Sequence, residues 1–228
     1  MTEVLRAERV SKTWHPGTPG AVRAVRDASL AVAPGETVVV TGPSGSGKTT
    51  LLAMLGSLLA PDRGRVLFEG RDLAALADAE RRRVRLVRIG FVFQRALLVP
   101  QLTARQNVAL VPRVAGVPRA RAFARADALL ERLGMAARAA ARPRALSPGE
   151  QQRVAVARAL AAGPGLVLAD EPTAHLDADT GTRVVDALRS LAAAERAGLV
   201  VVTHDARLAA LGDRVLRLDD GVLSPVRP

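Results

Sequence analysis

The stretch ETVVVTGPSGSGKTT, Glu36 to Thr50, decides how the rest of the chain is read. Its first six residues form a β-branched run of strand length. The remainder fits G-x-x-x-x-G-K-[ST], placed between a strand and a helix. In that pattern Gly42, Gly45 and Gly47, with Pro43, Ser44 and Ser46 between them, let backbone N–H groups curl around phosphate oxygens. Lys48 reaches the terminal phosphates, and the hydroxyl of Thr49, followed by Thr50, suits Mg²⁺. A flexible glycine turn is the bland alternative. Against it, Lys48 and Lys12 are the only lysines in a chain that otherwise uses arginine. The lysine stands where a compact point charge is needed and a planar guanidinium would not serve.

Two further apolar runs of strand length are GLVLA (Gly165–Ala169) and GLVVVT (Gly198–Thr203), with a helix expected between them over Asp179–Ala197. Such strand–helix–strand alternation implies a parallel sheet buried on both faces, which binds ligands at the carboxyl ends of its strands. Asp170 and Glu171 follow the first run. Successive strand residues point in opposite directions, so the two acids can take different tasks: Asp170 toward Mg²⁺, Glu171 toward an attacking water. The competing reading is an acidic turn before Pro172. His204 follows the second run, where an imidazole could donate to a γ-phosphate or hold the water. A structural histidine is the alternative.

The remaining expected elements are strands at Val4–Val10, near Ala28–Val32, at Arg65–Phe68, Ile89–Phe93 and Arg214–Leu218, the last followed by a turn at Asp219–Gly221. A Gly/Pro-rich turn is expected at His15–Gly20, a helix over Thr49–Leu59, and mostly helix from Thr103 to Ala162 with a break near Arg142–Leu146. In LSPGE, Leu146 to Glu150, Ser147 reads as a helix N-cap, Pro148 as the first helical residue and Glu150 as the third. Such a helix start is also an anion site. The basic run RRRVRLVR, Arg81–Arg88, reads as a solvated helix face or, less economically, as a patch for acidic lipid headgroups.

The chain has 228 residues, of which 49% are hydrophobic, enough for a substantial core and against disorder. No window supplies the run of apolar residues that a membrane span requires. Met1–Val10, with Glu3, Arg6, Glu8 and Arg9, lacks the apolar stretch of a signal peptide. Cysteine is absent, which excludes disulfides and thiolate metal sites and fits a cytosolic location. A net charge of +11 raises nucleic acid or an anionic membrane as partners. With only 2% aromatic residues, stacking platforms for single strands are poorly supported, and no nucleic-acid partner is expected.

Together these residues resemble the nucleotide-binding subunit of ATP-binding cassette (ABC) transporters, in the family's order and over nearly the whole chain. GPSGSGKTT is similar to its Walker A motif and LVLADEP to its Walker B. FVFQ, ending at Gln94, resembles the Q-loop, and LSPGEQQRVAVARAL the signature motif with its helix. AHLD, ending at Asp177, resembles the D-loop, and His204 the H-loop. The resemblance implies an α/β P-loop fold with a RecA-like parallel core, an N-terminal antiparallel β region and a helical subdomain. The expected division is a single 1–228 domain, with 1–94 and 161–228 as catalytic core and 95–160 as helical subdomain. It also implies an ATPase using ATP and Mg²⁺, working as a homodimer packed head to tail on a separate integral membrane permease, at the cytoplasmic face of the cell membrane. Glu171 would be the general base, His204 the γ-phosphate sensor, and Gln94 a Mg²⁺ sensor relaying to the permease. Asp170 and Thr49 would serve Mg²⁺, Ser147 and Gly149 would reach ATP in the other copy, and Asp177 would join them. Trp14 would stack on adenine, its alternative being a packing residue.

IGFVFQ, LTARQNVAL and the signature stretch look most like the lipoprotein-release and macrolide-export branch. A cassette that drives a permease-like partner in cell-division or envelope signalling would read almost identically. Pro148 departs from the glycine usual in the family and removes one backbone donor. At the first helical position that donor has no intrahelical partner in any case.

Overall fold

A computed structural model of the chain describes residues 3–226; the two residues at each end of the expected 1–228 domain, including the start of the Met1–Val10 stretch, lie outside the described residues. In chain order the first elements are β1 (Leu5–Trp14), β2 (Val22–Val32), β3 (Thr37–Thr41), α1 (Lys48–Leu55), β4 (Arg63–Phe68) and β5 (Arg71–Asp72). Then come α2 (Asp78–Val87), β6 (Ile89–Val92), α3 (Ala104–Val114), α4 (Arg119–Arg132) and α5 (Pro148–Leu160). The chain closes with β7 (Leu166–Asp170), α6 (Ala178–Ala194), β8 (Gly198–Thr203), β9 (Arg214–Asp219) and β10 (Val222–Pro225).

Among the described residues the strands form one sheet, ordered β5-β4-β1-β2-β10-β9-β3-β8-β7-β6. From β9 to β6 every pairing is parallel. β1, β2, β4 and β5 make antiparallel pairs at the other end. The continuous apolar runs follow from burial on both faces. Val38 and Val40 of β3 enter one core with Leu51, Leu52 and Leu55 of α1. Val39, between them, enters a second core with Val108 of α3, Leu130 of α4, Val154 of α5 and Leu188 of α6. β8 and β7 repeat the division: Val200, Val202, Leu166 and Leu168 join the first core, Leu199, Val201, Val167 and Ala169 the second.

Register then sets the working edge. Thr41 lies beside Thr203, Asp170 beside Val202, and Val92 beside Ala169. All four strands therefore end along one line. Gly42, His204, Glu171 and, two residues past Val92, Gln94 leave the sheet there.

Several boundaries differ from the sequence reading. β1 runs on to Trp14, past a register shift after Ala7 where Arg9 takes a φ of 47°. β2 begins at Val22 rather than near Ala28 because β1 pairs with it throughout, around a left-handed Asp27. α1 stops at Leu55, not Leu59: Gly56 caps it beneath Phe91 and Leu168, where a side chain would not fit, and Ser57 turns left-handed. The helical stretch has an unforeseen break at Gly116–Pro118 between α3 and α4. Arg214–Leu218 is not the last strand, since the Asp219–Gly221 turn leads into β10, which pairs back on β9. The run Arg81–Arg88 lies on α2 and its C-cap, with no residue of α2 buried. Within it Arg81 pairs with Asp78 and Arg88 with Glu69, while the neighbouring Arg71 meets Glu80.

One buried polar residue organises the approach to α3. Asn107 is fully buried and uses its whole side-chain amide: Oδ1 accepts from Val99 N–H, and Nδ2 donates to the carbonyls of Val99, Leu102 and Thr103. The loop after β6 is thereby tied to the helical layer. Leu168→Ala, in the middle of β7 and 0% exposed, should cost about 2–5 kcal/mol in urea unfolding. A loss below about 1 kcal/mol would contradict the packing described.

Candidate nucleotide site

The loop from Gly42 to Gly47 joins β3 to α1. Gly47 immediately precedes the helix with a φ of 101°, and a Cβ there would overlap the Ala24 carbonyl oxygen of β2. Only glycine fits that close approach. α1 starts with no side-chain cap and no acidic residue in its first turn, leaving its leading N–H groups for a ligand. Lys48 is 6% exposed. Its Nζ donates to the carbonyls of Gly42 and Pro43 at 2.8 and 2.9 Å and stands 3.8 Å from Glu171 Oε1. The Ser46 hydroxyl is buried without a partner. A buried polar atom left unpaired in so constrained a loop fits a phosphate oxygen.

Above the loop lies an open pocket of about 380 Å³. Ser44, Gly45, Gly47, Lys48, Thr49 and Thr50 line its floor, Trp14, Val22 and Ala24 one side, and Gln94, Glu171 and His204 the other. Trp14 is 41% exposed, so its ring is not core packing. The indole N–H donates to Thr50 Oγ1 at 3.3 Å, which fixes the ring at the pocket's edge.

Asp170 and Glu171 part as alternation requires. Asp170 is buried and accepts from the Thr49 hydroxyl at 3.2 Å. Burial pushes its carboxyl above the ordinary aspartate range, with the Thr49 hydrogen bond opposing. A buried acid beside a threonine hydroxyl and a phosphate loop fits Mg²⁺, which takes a few protein oxygens and completes its shell with water and phosphate. Glu171 sits in the left-handed region, with a φ of 43°, uncommon for a residue with a side chain. Its N–H donates to Val202 O at 2.9 Å. Glu171 Oε2 accepts from the Thr203 hydroxyl at 3.1 Å and the His204 N–H at 3.2 Å, and lies 2.9 Å from His204 Nδ1.

LSPGE forms the start of α5 as expected. The Ser147 hydroxyl accepts from Glu150 N–H at 3.2 Å, and the Glu150 carboxylate accepts from Ser147 N–H at 2.8 Å. The Ser147 N–H, with help from Arg138, holds the Glu150 carboxyl below its ordinary range. Serine acts here as acceptor, so its own proton stays available. Pro148 has no N–H, which leaves Gly149 N–H as the helix-start donor without a cap partner. Gly149 is buried against α6, with Thr180 packed where a Cβ would go. Asp177 caps α6, accepting from Thr180 N–H at 2.9 Å, a bond that lowers its pKa.

The chain therefore brings Trp14, Ser44, Gly45, Gly47, Lys48, Thr49, Thr50, Gln94, Glu171 and His204 to one pocket. Gly42, Pro43, Ser46 and Asp170 lie just behind it. Ser147, Gly149 and Asp177 do not line it. Sequence reasoning gave no role to Thr203, although it stands at a strand end beside His204. It also passed over Gln152 and Arg158, which reach from α5 to the carbonyls of Phe93, and of Ala96 and Leu97. Both sit in the quoted signature helix, but a contact to a distant loop leaves no local pattern.

A phosphate loop on a parallel strand, with acids and a histidine at the neighbouring strand ends, defines a P-loop nucleoside triphosphatase. The family model described as "ABC transporter" matches residues 25–174. The lipoprotein-releasing system ATP-binding protein LolD of Ruegeria pomeroyi is 49% identical over 220 residues, 96% of each chain. LolD of Maricaulis maris is 46% identical over 99% of this chain and 98% of its own. A solved dimeric structure of the ATP-binding cassette MJ0796, in a post-hydrolysis state bound to ADP and Pi, superposes with a TM-score of 0.86 at 36% identity, over 98% of this chain and 99% of that one. The chain belongs to the ABC transporter family and is an ATP-binding ATPase subunit of that family.

Lys48→Ala should lower ATP affinity at least about tenfold, the loss of one charge-assisted contact. Quenching of the single tryptophan, Trp14, during ATP titration would measure it, and an unchanged curve would contradict the phosphate-loop geometry.

Proposed function

We propose that two copies of the chain pack head to tail, each closing the other's nucleotide pocket with the Ser147–Gly149 helix start. The observation that supports this most is the position of that helix start. It offers a free hydroxyl proton and an uncapped N–H, yet stands outside its own chain's pocket. A γ-phosphate presented by a second copy would meet both. The dimeric state of the MJ0796 structure agrees with this reading.

Within each pocket the base of ATP stacks on Trp14 and the phosphates lie along Gly42–Thr50. Lys48 exchanges its two carbonyl partners for phosphate oxygens, and Ser46 gains the partner it lacks. Asp170, Thr49 and Gln94 would hold Mg²⁺, which spreads the charge developing on the β- and γ-phosphates. Glu171 takes a proton from water as the water oxygen bonds to the γ-phosphorus and the bond to the bridging oxygen breaks, leaving ADP and phosphate. His204 donates to the γ-phosphate and reports its presence.

The chain is read as a peripheral subunit at the cytoplasmic face of the cell membrane, bound to an integral permease. No helix among the described residues is long and apolar enough to cross a membrane. Gln94 lines both the nucleotide pocket and a largely apolar groove of about 580 Å³ formed with Leu97, Pro143, Pro148 and Leu176. A permease segment seated in that groove would sense the nucleotide through Gln94, with residues 95–160 moving as a unit. The named LolD relatives favour lipoprotein release as the transport task.

Glu171→Gln should bind ATP, lose turnover and elute as a dimer in gel filtration with ATP; normal hydrolysis would refute the assignment of the base. Pro148→Gly should leave ATPase activity within about threefold, because the N–H that glycine would restore at position 148 is not among the expected phosphate donors. A large gain would identify Pro148 as a brake.

A further inference from the structure

Thr203 is fully buried at the end of β8, a strand that lies between the one carrying the phosphate loop and the one carrying Glu171. Its hydroxyl is committed on both sides. It accepts from Asp205 N–H at 3.0 Å, which directs its proton away from that turn and onto Glu171 Oε2 at 3.1 Å. The same carboxylate oxygen receives the His204 N–H and faces His204 Nδ1. Two donors therefore converge on Oε2, with His204 Nδ1 2.9 Å away, while Oε1 faces the pocket with Lys48 at 3.8 Å. The two oxygens of Glu171 are not equivalent.

We infer that Thr203 is a positioning residue for hydrolysis: its hydroxyl anchors one oxygen of Glu171 so that the other is presented to the attacking water. The inference rests on Glu171 being the base, as proposed above. Three features make the anchor necessary. Glu171 emerges from the sheet with a left-handed backbone, a conformation the chain leaves unless neighbours hold it. The imidazole of His204, 2.9 Å from the same oxygen, is half exposed and turns to the γ-phosphate in the proposed cycle. Thr203 alone of these side chains is immobile, because its strand is buried on both faces and its methyl group is locked by β-branching. When the imidazole turns away, the threonine hydroxyl and the His204 backbone N–H keep Oε2 in place. The hydroxyl adds the directional bond that a carboxylate on a flexible side chain requires.

The test is steady-state ATPase kinetics of full-length Thr203→Val and Thr203→Ser, with Glu171→Gln as control. Valine keeps the branched shape and removes the hydroxyl. It should lower kcat about 10- to 100-fold, the weight of one hydrogen bond to a charged group, with KM for ATP within about twofold. Serine keeps the hydroxyl and should restore kcat to within about threefold. Should the valine variant fail to melt cooperatively, Thr203→Ala reads the same quantity. A kcat near wild type without the hydroxyl would overturn the inference, as would a serine variant as slow as valine, or a loss expressed in KM. A fully active Glu171→Gln protein would instead overturn the assignment of the base, so the two failures are distinguishable.

Discussion

The whole site depends on the register of four parallel strands. Thr41, Thr203, Asp170 and Val92 end along one edge, and the next residues of each strand supply the phosphate loop, His204, Glu171 and Gln94. β8 sits between β3 and β7 and so acts as a spacer: its last residue reaches Glu171, and its successor reaches the pocket. A one-residue slip of β8 would turn Val202 toward the second core and carry Thr203 out of reach of the carboxylate. The alternating division of valines between two cores forbids that slip.

The same edge concentrates polar cost. Lys48, Asp170 and Thr203 are all buried, Ser46 is unpaired, and Glu171 occupies an uncommon backbone region. A fold built only for stability would avoid each of these. Here they gather at or just behind one pocket, where phosphate oxygens would meet Lys48 and the unpaired Ser46 hydroxyl. The signature end of the chain has the opposite character. Its capping box satisfies the helix start locally, yet leaves the Ser147 proton and the Gly149 N–H uncommitted.

Much of this was legible in the sequence because it rests on local patterns. The apolar runs before Gly42, Glu171 and His204 announce strands buried on both faces, and Gly47 and Lys48 announce the loop. Trp14 was offered for adenine by the family resemblance alone; what carries it to the pocket is β1 extending four residues beyond its apparent end, through a bulge at Arg9 that no propensity signals. The early stop of α1 at Gly56 depends on Phe91 and Leu168 crowding from distant strands. Thr203 read as strand filler, since its role is set by a partner 32 residues away. Long-range contacts of this kind leave no periodic trace.

The proposed sharing of each nucleotide site between two copies can be read from a mixing experiment. Lys48→Ala disables the phosphate loop, whereas Ser147→Asp keeps the helix cap but sets a negative charge against the γ-phosphate. Each variant alone should be inactive. Mixed in equal amounts, they should recover ATPase activity, because a mixed dimer contains one intact loop facing one intact helix start. If the mixture stays as inactive as its components, each site is built within a single chain and the head-to-tail arrangement is wrong.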